Sequence, residues 1–266
     1  MPSVPLRSWH SFALLMLLIL LGPTFVGPTL LSAQEPNPPD ALGQGKPGAQ
    51  VELALTTRDG ASVPYLLYLP QDYDGEKPLP LLLFLHGRGE SYGPLSLVAK
   101  WGPPQMIARG EHFPMIVVSP QCPGNDSWNR PTQQQRILEL LEALTTTYRI
   151  DPERVYLSGL SMGGYGSWRL AADHPERFAA AVIICGGGDP ADAAKLTRLP
   201  IWVFHGDQDA AVPVVKSQEM VDAIRAAGGE SIRYTTLEHV GHNSWSPAYA
   251  LPDLYAWLLA QKRPTP

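Results

Sequence analysis

The sequence predicts an α/β fold, a doubly wound and mostly parallel eight-stranded sheet with helices on both faces. Three observations predict it. Short continuous apolar runs at 81–85 (LLLFL), 115–119 (MIVVS), 180–184 (AAVII) and 201–204 (IWVF) read as strands covered on both faces. Segments with helical spacing alternate with these runs. Residues 51–57 and 63–69, joined by Arg58-Asp59-Gly60, read as an antiparallel hairpin at one edge.

The remaining strands are expected at 155–158 and 232–237. Helices are expected at 104–109, 132–148, 162–174, 213–227 and 247–261. In the second of these, Ile137, Leu138, Leu141 and Leu144 fall on one face, as a helix lying on a sheet requires.

The chain has 266 residues, enough for one good-sized core and too few for two ordinary domains once the N-terminus is set aside. Net charge is −5 and no run of Lys or Arg forms a basic stripe, which argues against nucleic acid as a partner. Residues 1–33 read as an export signal: Arg7, then an apolar stretch at 12–21, then Leu31-Ser32-Ala33 before Gln34. The competing reading is an uncleaved membrane anchor over 12–31, interrupted by Gly22, Pro23, Gly27 and Pro28. The expected location is therefore secreted or periplasmic, with membrane contact only through such an anchor. Residues 34–49 (QEPNPPDALGQGKPGA) have almost nothing to bury and read as a flexible linker, so the catalytic domain spans 50–266.

The decisive stretch is Val155-Tyr156-Leu157-Ser158-Gly159-Leu160-Ser161-Met162-Gly163-Gly164, a strand running into Gly-x-Ser-x-Gly and then a helix pattern. A serine on that turn sits in strained backbone with its hydroxyl exposed above the sheet. Gly159 and Gly163 are needed because neighbouring backbone leaves no room for Cβ atoms. A hydroxyl alone is a poor nucleophile, so it needs a base and an orienting acid, each on a loop after a later strand. Downstream histidines are His174, His205, His239 and His242. His174 reads as the end of the elbow helix. His242, after Gly241 on the loop entering the final helix, is the expected base, with His239 in reserve. A metal pair of His239 and His242 lacks a third ligand nearby, so no metal and no organic cofactor is expected. Asp207 and Asp209 both qualify as the acid, and one of them can instead cap the helix that follows. The oxyanion hole is expected from the backbone N–H groups of Arg88, after the 81–85 strand, and Met162. The Arg88 side chain is expected to face solvent or pair with Glu90.

The domain resembles the phospholipase/carboxylesterase branch of the α/β-hydrolases, nearest to secreted feruloyl-esterase and polyhydroxybutyrate-depolymerase types and their predicted-peptidase relatives. The resemblance rests on Leu85-His86-Gly87-Arg88-Gly89-Glu90, Ser119-Pro120-Gln121-Cys122-Pro123, Asp151-Pro152-Glu153-Arg154-Val155-Tyr156, the Ser161 elbow, His174-Pro175-Glu176-Arg177-Phe178, Cys185-Gly186-Gly187-Gly188-Asp189 and Gly241-His242-Asn243-Ser244-Trp245. It implies a serine esterase acting through an acyl-enzyme, with Asp209 rather than Asp207 as acid and His242 as base. A serine peptidase of small peptides uses the same triad and is the nearer alternative. A non-catalytic binding protein on the same fold is the farther one.

Sixteen residues separate Ile184 from Ile201, room for one short helix and no sizeable cap domain, so the site should be open at that rim. The substrate is expected to be a small-molecule or polysaccharide-linked ester. Trp128, Asp189 and Trp245 lie on loops after strands, where this architecture binds ligands; Trp128 reads as a stacking wall or as a loop-packing residue. Trp168 and Trp257 read as core. Cys122 and Cys185 should lie on strands separated by two others, three spacings of about 4.8 Å or about 14 Å, which is too far for a bridge.

Overall fold

The structure, a computed structural model, describes residues 45–263. The expected leader at 1–33 and most of the expected linker lie outside the described residues. Residues 45–49 belong to the folded body rather than to a free linker. Gly45 N donates to Tyr148 Oη at 2.9 Å, and Pro47 bridges to Leu69.

Eight strands form one sheet in the order β1-β2-β4-β3-β5-β6-β7-β8: β1 Gln50–Thr56, β2 Ser62–Tyr68, β3 Leu79–Leu85, β4 Ile116–Pro120, β5 Ile150–Leu160, β6 Ala180–Ile184, β7 Ile201–Gly206 and β8 Ile232–Leu237. The β1–β2 and β2–β4 pairs are antiparallel, and every other neighbour is parallel. The apolar runs are where the period-2 logic of strands shows. In β3, Leu81, Leu83 and Leu85 face one core with α2 (Pro131–Thr147), α3 (Met162–Asp173) and α4 (Val215–Ala226). Leu82 and Phe84 face the other, with α1 (Gly102–Ala108), α5 (Trp245–Tyr249) and α6 (Pro252–Leu259). Each such fully buried side chain contributes about 2 kcal/mol by removing apolar area from water. Trp168 and Trp257 belong to these two cores.

Three expected elements differ. The strand expected at 155–158 runs from Ile150 to Leu160. The last helix is two: the chain breaks at Leu251, and Pro252 restarts it at a position where a missing N–H costs nothing. The expected helix at 213–227 begins at Val215, after Pro213. The 185–200 connection holds a single 3₁₀ segment, Pro190–Leu196, and no cap domain. Cys122 follows β4 and Cys185 follows β6, with β3 and β5 between them, and both are free. Parallel pairing puts the C-terminal ends of β3 and β5–β8 on one sheet edge, and the candidate chemistry gathers there.

Candidate active site

β5 delivers Ser161 to the edge and α3 begins at the next residue, so the serine occupies the strand-to-helix turn at φ 52°, ψ −115°. That conformation is costly for any residue with a Cβ and persists only because the surroundings enforce it. The flanking glycines explain how. A Cβ on Gly163 would stand 1.9 Å from Leu85 O, and one on Gly159 would stand 2.3 Å from Gly163 O. Ser161 N donates to Ile184 O at 2.9 Å, tying the turn to β6.

His242, on the loop after β8, places Nε2 2.9 Å from Ser161 Oγ and Nδ1 2.7 Å from Asp209 Oδ2. Since a carboxylate only accepts, Nδ1 carries the proton and Nε2 is left to accept from the serine hydroxyl. The Asp209 side chain is fully buried, whereas that of His242 is 29% exposed. Burial works against the Asp209 charge. The His242 N–H and the amides of Val212 (2.8 Å) and Ala211 (2.9 Å) outweigh it and hold the carboxyl below its ordinary range. Asp207 and His239 are exposed, and His239 pairs with Gln208 instead of the serine. His174 is the C-cap of α3.

The loop after β3 approaches from the other side. Arg88 and Met162 open the 3₁₀ segment Arg88–Ser91 and helix α3, so each amide is a first-turn N–H with no partner inside its own helix. The Gly87 amide is taken by the buried Glu90 carboxyl, which Trp101 also contacts; burial pushes that carboxyl up. Arg88 is exposed, the first of its two expected placements, and does not pair with Glu90. Arg88 Nη1 donates to Asp126 O at 2.6 Å, because Glu90 turns inward. His86 locks the loop: Nδ1 donates to Gly87 O at 2.6 Å and Nε2 accepts from Cys122 N at 2.9 Å. Burial holds its pKa down at about 4.

Of the candidate substrate contacts, Trp128 is corrected. It is 1% exposed, donates Nε1 to His86 O at 2.9 Å and packs edge-on against the His86 ring, so it supports the loop and presents no stacking face. Trp245 is also buried and packs edge-on against His242, 5.2 Å between centroids. Asp189 is exposed; its carboxylate accepts from Ala191 N and lines a pocket of about 260 Å³ with Tyr165, Trp168, Arg169 and Met220, beside the triad and not including it.

Cys185, Asp209 and His242 offer donor atoms all within 4.8 Å of one another. Both His242 nitrogens and both Asp209 oxygens are already hydrogen-bonded, and burial pushes the Cys185 thiol up to about 12. The set fits proton transfer, not metal ligation. Reading the sequence missed His86, Glu90 and Cys185 as parts of the site. Their signal was present in the His-Gly and Cys-Gly-Gly-Gly stretches that follow β3 and β6.

The family model described as "Putative esterase" matches residues 58–228, well over half of the chain. The chain belongs to this esterase family. A bifunctional acetylxylan esterase/xylanase of Neocallimastix patriciarum is 31% identical over 134 residues, covering 49% of this chain and 19% of that protein. The poly(3-hydroxyalkanoate) depolymerase C of Paucimonas lemoignei is 31% identical over 121 residues, covering 41% and 28%. The esterase thus spans less than a third of either curated relative. Among solved structures, a thermostable esterase aligns with TM-score 0.70 and 34% identity over 80% of this chain and 63% of its own.

Proposed function

We propose that the protein is an exported serine esterase that cleaves carboxylic esters through an acyl-enzyme. The observation that carries this reading is the relay Ser161 Oγ–His242 Nε2–Asp209 Oδ2, at 2.9 and 2.7 Å, with the tautomer a general base needs. His242 takes the Ser161 proton as Oγ attacks the ester carbonyl. The Met162 and Arg88 amides receive the oxyanion, and His242 then protonates the leaving alcohol. Water, deprotonated by the same imidazole, releases the acid. Asp209 stabilises the imidazolium in both halves.

The substrate class follows from the rim. The short 185–200 connection leaves the serine reachable from outside, which favours esters carried on bulky or polymeric alcohols over lipids that need a lid. The named activities of the acetylxylan esterase and the polyester depolymerase support the same direction. Residues 1–33 supply the export signal in this reading, which N-terminal sequencing of the mature protein checks. The function is tested by comparing wild type with Ser161→Ala on short p-nitrophenyl esters, methyl ferulate, acetylated xylan and peptide anilides. Ester turnover should fall by about a thousandfold or more in the variant. Equal turnover in both proteins would sink the proposal, and faster cleavage of anilides than esters would redirect it to a peptidase.

A further inference from the structure

A second histidine stands behind the acid. His205 is the penultimate residue of β7, and its side chain is fully buried. Its Nε2 lies 2.9 Å from Val212 O and 3.2 Å from Asp209 Oδ2, two groups that can only accept, so Nε2 carries a proton. The N–H is directed at the carbonyl, and its positive end passes the carboxylate oxygen that also receives His242. The ring's other nitrogen, Nδ1, lies 2.7 Å from Ser217 Oγ on α4, and Ser217 Oγ is 3.0 Å from Gly186 O. The Val212 peptide is thereby held at both ends, its N–H on Asp209 Oδ1 and its C=O on His205. Ser217 Oγ, whose single proton goes either to His205 Nδ1 or to Gly186 O, stands between the ring and Gly186, next to the Ile184–Cys185 corner that anchors Ser161 N.

We infer that His205 is a positioning residue for catalysis, which acts through Asp209 by clamping the Asp209–Val212 turn and facing an N–H dipole toward the carboxylate. The inference rests on the esterase reading of this triad. The mechanism has two parts. The clamp keeps Oδ2 in line with His242 Nδ1, where a displacement on the order of 1 Å costs up to about a hundredfold in rate. The dipole offsets part of the Asp209 charge, so the carboxylate holds the His242 proton less tightly.

The groups facing this pair are few. Cys185 comes from the β6 corner, with its thiol pushed up to about 12, and Tyr165 from α3, with its phenol raised by burial. Lys216 on α4 lies near Tyr165, Asp207 and His239 are exposed on the flanking loops, and His242 completes the set. The proposed variants leave every one of these groups untouched.

The test reads Ser161 nucleophilicity without needing the natural substrate. The second-order rate of labelling by a fluorophosphonate probe is followed against pH in wild type, His205→Asn, His205→Gln and Ser217→Ala. Asn can reach Ser217 but not the Val212 carbonyl, whereas the longer Gln can place an N–H where Nε2 stands. His205→Asn should label about tenfold to a hundredfold more slowly. Its acid limb should move up by about half a pH unit, because the uncompensated carboxylate holds the His242 proton more tightly. His205→Gln should recover most of both effects. Ser217→Ala, the gentler change should His205→Asn fail to fold, should shift the limb in the same direction by less. A slower but unmoved limb, a downward shift, or no difference between Asn and Gln would overturn the inference. A wild type that the probe does not label would instead overturn the esterase reading beneath it.

Discussion

Two loops of this molecule open on the same pattern, His-Gly followed by an acid four residues after the histidine. His86-Gly87-Arg88-Gly89-Glu90 follows β3, and His205-Gly206-Asp207-Gln208-Asp209 follows β7. In both the histidine is buried and ties its loop to neighbouring backbone. The acids part company. The His242 N–H and the amides of Val212 and Ala211 outweigh burial at Asp209 and hold its carboxyl below the ordinary range, while at Glu90 burial outweighs the Gly87, Glu90 and Trp101 donors and pushes the carboxyl up. In the proposed mechanism the loops do opposite electrical work: one presents negative charge to an imidazole that becomes cationic, and the other presents an N–H to a developing oxyanion. A fully charged carboxylate beside that N–H would oppose it. Equal spacing in sequence therefore says where an acid sits, and the balance of burial against its donors says what it can do.

The sharpest way to break this contrast is to neutralise each acid in turn. Asp209→Asn keeps the shape but removes the charge and the preference for the Nδ1–H tautomer of His242. Ester turnover should fall by on the order of 10³- to 10⁴-fold. Glu90→Gln retains an oxygen for the Gly87 amide and removes a carboxyl whose charged form burial disfavours, so turnover should stay within about tenfold of wild type. Steady-state kinetics on one p-nitrophenyl ester decides it. Comparable losses in the two variants would mean that the loops are not electrically distinct.

The histidines give a second contrast, in stability. Burial holds His86 neutral, with its pKa near 4 in the folded chain against about 6.5 unfolded. The unfolded state therefore binds the extra proton first as pH falls. The stability His86 supplies is complete above about pH 6.5 and drains away toward pH 4, amounting to about 3 kcal/mol. Urea unfolding at pH 7 and pH 4 should show wild type losing more stability over that interval than His86→Asn, by roughly this amount. Parallel losses in the two proteins would contradict the assignment of His86 as a buried neutral ring.

Much of this was legible in the sequence because strand periodicity and the Gly-x-Ser-x-Gly turn are local signals. The strands followed from apolar runs, and Ser161 and His242 from loop positions, whereas Asp209 over Asp207 and the strand order came from the family resemblance. What escaped was set by packing between segments far apart in the chain. Trp128 reads as a loop tryptophan, yet its indole N–H is claimed by His86 O, forty-two positions away. Arg88 and Glu90 look like a natural pair, but Glu90 turns to the Gly87 amide and leaves Arg88 to carbonyls of the 124–126 loop. The final helix was read as one because Pro252 fits a first turn as readily as it breaks an interior. No local rule carries these outcomes.

The glycines that follow the two histidines differ in how much room they leave, and this sets the smallest of the expected effects. A Cβ on Gly206 would stand 2.2 Å from Val240 O and 2.5 Å from Gly241 O, backbone of the loop that carries His242. Neither carbonyl can retreat without moving the base. A Cβ on Gly87 would meet the end of the Leu160 side chain at 2.9 Å and Glu90 Oε2 at 3.2 Å, atoms that a small rotation can withdraw. Gly206→Ala should therefore cost about 2–3 kcal/mol of stability and activity with it, while Gly87→Ala should cost about 1 kcal/mol. Thermal unfolding followed by circular dichroism measures both. If Gly87→Ala proves the more damaging, the β3 loop is the less forgiving of the two, and the rigidity assigned here to the acid side belongs to the oxyanion side instead.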